Sequence, residues 1–116
     1  MSRDQTRFYI PQVRMWNWKL VSPAFVKLQY QRAAQSYRET DQALYNLEQD
    51  LEKINQEIKG QWAQGSVQVM RAFESRYKEV RAENKRIAYV RVKLREAMDQ
   101  MESQLINPEW TEWHRV

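Results

Sequence analysis

The sequence predicts an all-α protein: an antiparallel two-helix coiled-coil hairpin with an ordered, aromatic-rich N-terminal arm and a short C-terminal tail. Two heptad runs carry the prediction. In the first, apolar positions advance in alternating steps of four and three: Val26, Tyr30, Ala33, Tyr37, Thr40, Leu44, Leu47, Leu51, Ile54, Ile58. The same stepping recurs through Met70, Phe73, Tyr77, Val80, Asn84, Ile87, Arg91, Leu94, Met98, Met101 and Leu105. Residues spaced this way fall on one stripe of a helix and face one partner helix. The third observation is the linker 59–65, Lys-Gly-Gln-Trp-Ala-Gln-Gly. Its two glycines argue against one uninterrupted helix.

Each element has its own boundary signals. Segment 1–22 holds Phe8, Tyr9, Ile10, Val13, Met15, Trp16, Trp18, Leu20 and Val21, but Pro11 interrupts it and no helical period is sustained. Positions 13–20 partly alternate, yet a lone strand has no partner here. The segment therefore reads as an arm with a short helical or extended stretch. Ser22-Pro23 starts the first helix, expected over 23–58: Ser caps well, and Pro at the first helical position loses no hydrogen bond. Gly60 reads as a left-handed C-terminal stop. Ser66 caps a second helix expected over 66–105, which Asn107-Pro108 ends because the residue before Pro avoids helical geometry. Residues 106–116 are left as a tail.

Folding the helices together with Ile58 opposite Ser66 gives the layers Ile54/Met70, Leu51/Phe73, Leu47/Tyr77, Leu44/Val80, Thr40/Asn84, Tyr37/Ile87, Ala33/Arg91, Tyr30/Leu94 and Val26/Met98. Thr40 and Asn84 form a polar layer of the kind that sets register. Large Arg91 meets small Ala33, so its stem packs while its head reaches water. Asp41/Arg81 and Asp50/Arg76 flank the seam attractively, each such exposed pair being worth little. Such a hairpin would be about 50 Å long at 1.5 Å per residue.

Composition limits the function classes. One domain is the simplest reading of 116 residues, 42% hydrophobic and 29% charged, with 2 Gly and 3 Pro. No apolar run reaches the roughly 18 residues of a membrane span. With no secretory apolar core at the N-terminus, a soluble intracellular chain is expected. There is no Cys, and His114 is the single His, so thiolate zinc sites, Cys nucleophiles and His clusters are excluded. No Gly-rich phosphate loop exists. The chain is expected not to be an enzyme and to need no cofactor or metal.

Three features are candidates for function. Trp16, Trp18, Trp110 and Trp113 all lie in the terminal segments, hence at the open end of the hairpin, with the off-seam residues Phe25, Leu28, Tyr89 and Val92. The arm and tail are expected to wrap this end as a small aromatic core. Part of its surface, with Tyr89 and Val92, would serve as a protein interface, since Trp and Tyr dominate hot spots. Trp62 sits at the tip, either folded back on Ile58 and Val67 or exposed to a partner. Its turn resembles that of the small WXG-type proteins, but Trp62-Ala63-Gln64-Gly65 is one residue longer and the turn lies further along the chain, so that family is not carried over. Finally, residues 76–95 carry eight basic side chains against two acidic ones. Arg71, Lys78 and Lys85 recur every seven residues, and with Arg81, Arg86 and Lys93 they form a basic face for an acidic protein or nucleic acid.

The leading expectation is a structural or adaptor subunit that binds larger proteins through hairpin, arm and tail, with self-association as a further option. One alternative is a nucleic-acid-binding accessory subunit using the basic face. Another is a chaperone- or export-stalk-like coiled coil: in general architecture the chain is similar to the helical hairpins of prefoldin subunits and of secretion-export stalk proteins. That likeness rests on no motif and assigns no residues.

Overall fold

The computed structural model describes residues 8–61 and 67–114. Within them a short 3-10 helix, Val13–Met15, precedes α1 (Pro23–Gln61), α2 (Val67–Leu105) and α3 (Pro108–Trp113). The two long helices have 39 residues each and pack against each other. No described residue is in a strand, and no described helix is long and apolar enough to cross a membrane. Every seam position read from the sequence, from Val26 to Ile58 and from Met70 to Leu105, is buried or half-buried.

The start of α1 is as the sequence specifies. Ser22 Oγ accepts from the Phe25 N–H at 3.1 Å, and the Ser22 carbonyl accepts from Val26 N–H at 3.1 Å. The end of α1 is not. Gly60 lies inside the helix and no described residue has a left-handed backbone, so the expected stop after Ile58 is replaced by three further helical residues. Gly disfavours the helix interior only by backbone entropy, and a single Gly does not end a helix that packing sustains. A Cβ at Gly60 would meet nothing within 4 Å. Gly60→Ala is therefore expected to stabilise the chain by about 0.5–1 kcal/mol and raise Tm by about 3 °C. An unchanged or lower Tm in a calorimetric scan would show that Gly60 does not hold a helical conformation in solution.

The chain divides into two compact units. The first comprises residues up to Thr40 and from Val90 onward; the second is Asp41–Tyr89. In the first unit, the Tyr30 hydroxyl donates to Glu102 and the Arg91 guanidinium stacks 4.4 Å from the Tyr37 ring centre. In the second, Arg76 pairs with Glu57 at 3.3 Å, and Asn55 and Ile58 share a depression with Glu74 and Tyr77. Within each unit α1 and α2 thus run antiparallel.

These contacts correct the expected register. Arg76 meets Glu57 and not Asp50, seven residues earlier, and Tyr30 reaches Glu102 beyond Leu94. The helices are displaced by one heptad from the layers derived above. Such a shift preserves every apolar position, so the heptad pattern alone does not distinguish the two alignments; the extra turn at the end of α1 does. Of the expected polar layer, Thr40 belongs to the first unit and Asn84, half-buried, to the second. Thr40 is fully buried, and its hydroxyl donates to the Tyr37 carbonyl of its own helix at 2.6 Å. It is satisfied without a polar partner on α2. Arg91, expected opposite Ala33, stacks on Tyr37, four residues further along α1.

The Tyr30 contact makes a pH prediction. Donation to the Glu102 carboxylate, then burial, raises the Tyr30 phenol above its ordinary 10.0. A group whose folded value is raised contributes stability that is complete below the unfolded value and is lost as pH climbs through the folded one. The wild-type Tm should therefore fall more steeply above pH 10 than that of Tyr30→Phe. Parallel curves would mean that the hydrogen bond is not formed.

Candidate functional site

The first unit owes its solidity to the terminal segments. Along α1, Gln29 and Ser36 are buried although they lie one position off the seam. The arm covers them. The Tyr9 N–H donates to Ser36 Oγ at 2.8 Å, and the Tyr9 hydroxyl donates to Gln29 Oε1. Phe8, Pro11 and Val13 are buried with this stretch, while Arg32 stands 5.8 Å from the Tyr9 ring centre. Buried polar side chains need partners, and here the arm's own backbone and phenol provide them. The Gln29 and Ser36 contacts were not foreseen. Their signal was present as a small or polar stripe at seven-residue spacing, Gln29, Ser36, Ala43, flanking the seam.

Beyond the 3-10 turn the aromatic residues form a continuous chain. Trp16 packs edge-on against Phe25 (5.3 Å between ring centres) and Trp18 (5.5 Å). Trp18 meets Trp110 at 5.5 Å with the rings nearly perpendicular, and Trp110 meets His114 at 4.8 Å. Edge-to-face packing of this kind places the positive ring edge on the negative face of its neighbour. Trp110 Nε1–H also donates to the Trp18 carbonyl at 2.8 Å, which ties the C-terminal segment to the arm. The tail expected over 106–116 contains a short helix, α3, which carries Trp110. Asn107 caps this helix, its Oδ1 accepting from Glu109 N–H at 3.0 Å, with Pro108 at the first helical position. Asn107-Pro108, read as a stop, is equally a start signal.

The predicted interface residues separate by environment. Trp110 is 7% exposed, so its surface is used by the chain's own fold, whereas Trp16 and Trp18 are half-buried. Tyr89, in the second unit, and Val92, in the first, are exposed. Trp62 lies outside the described residues, as does the side chain of Trp113. The basic residues separate likewise. Arg86 is half-buried and held by Glu83 of its own helix; Lys93 lies 3.5 Å from Glu96; Arg81 covers the Tyr77 ring at 5.9 Å. Arg71, Lys78 and Lys85 are exposed and make no ion pair or hydrogen bond among the described residues.

A groove of ≈ 490 Å³ in the first unit is lined by Arg14, Trp16, Trp18, Gln100, Ser103 and Gln104, together with Val13 and Asp99. Its one carboxylate, Asp99, pairs with Arg95 at 2.9 Å. His114 is elsewhere, its Nδ1 3.1 Å from the Trp110 carbonyl. No group of three or more His, Cys, Asp or Glu suited to a metal ion occurs among the described residues.

The first unit is thus a helical pair clasped by its own terminal segments. Compared with known proteins, the chain matches no protein-family model, no curated protein and no solved structure.

Proposed function

We propose that this chain is a non-catalytic structural or adaptor subunit that docks on a larger protein through the first unit. One observation carries the reading. Met15, Leu20 and Ile106 are 80, 83 and 81% exposed, yet the backbone beneath each is hydrogen-bonded. Met15 N–H donates to Gln12, Leu20 N–H to Asn17 and Ile106 N–H to Glu102, at 2.9, 2.8 and 3.2 Å. Exposed Leu28 and Val92 belong to the same unit. Large aliphatic side chains held in water on an ordered frame lose little further entropy on docking, which favours their use as contacts.

The test is an affinity pull-down of the tagged full chain from its native lysate, with and without nuclease, beside a Leu20→Glu/Ile106→Glu variant. A stoichiometric, nuclease-resistant protein set that the variant fails to retain supports the reading. Capture unchanged by the two substitutions refutes docking through these residues. Loss of the captured set on nuclease treatment would transfer the function to nucleic-acid binding.

A further inference from the structure

The second unit has a different chemistry. Its α1 portion, 41–61, carries five acids against two bases; its α2 portion, 67–89, carries six bases against three acids. One helix is net negative by three charges and the other net positive by three. The seam positions divide each helix into two flanks, and the structure shows which flanks share a side. Glu57 and Arg76 meet on one side. On the other side, Asn55 and Glu74 line a shallow depression of ≈ 290 Å³ with Lys78, over Ile58 and Tyr77. Steps of three and seven residues extend that second side to Tyr45, Glu48 and Glu52 on α1, and steps of seven to Arg71 and Lys85 on α2. All five are exposed. Glu48, like the three cations, makes no ion pair among the described residues, and Glu52 is bonded only to the neutral Gln56 amide at 3.1 Å. On this face α1 carries Glu48 and Glu52 with Lys59, and α2 carries Arg71, Lys78 and Lys85 with Glu74, so one half is net acidic and the other net basic.

We propose that this face is the contact surface for a second copy of the same chain. A two-fold axis along the helices lays α1 of each copy on α2 of the other, so that acid meets base twice. Glu48 and Glu52 then lie at the level of the partner copy's Lys85 and Lys78, with Tyr45 as the apolar contact between them. Core depth supports the same occupant. Among the described residues the second unit buries only Ala43, Ile54 and Ile87 of its apolar side chains, against ten in the first unit besides Pro11. A second copy would cover the thinly packed half. Phosphate fits this face poorly, because its acidic half would repel a nucleic-acid backbone.

The experiment measures the mass of the full chain by light scattering and sedimentation over a concentration series. Wild type should dimerise, with Kd rising about tenfold between about 50 and about 500 mM salt. Lys78→Glu/Lys85→Glu and Glu48→Lys/Glu52→Lys should each weaken self-association by about thirtyfold or more, since attraction becomes repulsion at both contacts. An equimolar mixture of the two variants should form a heterodimer, because the reversed charges match again. Circular dichroism confirms that each variant is helical, and the wild-type salt series stands without either variant. Wild type that stays monomeric at high concentration, or variants that dimerise as wild type does, would overturn the proposal. So would a monomer that binds single-stranded RNA and loses it in Lys78→Glu/Lys85→Glu.

Discussion

Trp110→Ala is expected to destabilise the full chain by about 3–4 kcal/mol, the usual cost of truncating a buried aromatic. The indole is 7% exposed, packs against Trp18 and His114, and donates Nε1–H to the Trp18 carbonyl. Truncation removes the packing and leaves that carbonyl without its donor. Trp110→Phe separates the two contributions. It keeps most of the ring contact and loses the hydrogen bond, so it should cost only about 1–2 kcal/mol. Urea unfolding followed by circular dichroism measures both. If Trp110→Ala cost under about 1 kcal/mol, less than the low end for such truncations, the clasp would not be closed in solution.

Leu94→Ala should cost about 3 kcal/mol, because Leu94 is wholly buried and deleting it leaves a cavity. The same deletion at Leu47, which is half-buried in the second unit, should cost roughly half as much. The contrast follows from what surrounds each residue. Leu94 lies in the unit that the arm and α3 enclose, whereas Leu47 has the opposing helix and then solvent. Amide exchange should accordingly be slower along 90–101 than along 44–54, since local opening follows the density of buried apolar contacts. Equal costs and equal protection, measured below the dimerisation range, would refute this difference in packing.

Much of the architecture is legible in the order of residues. The heptad steps identify two helices and their facing stripes, because a 3.5-residue period leaves one arrangement of apolar side chains away from water. Ser22-Pro23 marks the start of α1, because a capping hydroxyl and a ring-locked φ favour a helix N-terminus. The concentration of tryptophan in the terminal segments identifies where they pack. Less of the candidate sites is legible. Arg71, Lys78 and Lys85 are visible as charges at heptad spacing, and Glu48 and Glu52 as acids one helical turn apart. That acid and base share one flank becomes clear only once the helices are paired.

The sequence by itself determined that there are two long amphipathic helices and which stripe of each is buried, since both follow from local periodicity. Tertiary structure decided the alignment between them, because a seven-residue slide leaves the apolar pattern intact and is resolved only by where α1 ends and by contacts such as Glu57–Arg76. It likewise decided that Gly60 stays helical, that Asn107-Pro108 opens α3, and that Ser36 and Gln29 receive the arm. In each of these places the local signal admits two outcomes of similar free energy, and contacts with residues distant in the chain select one.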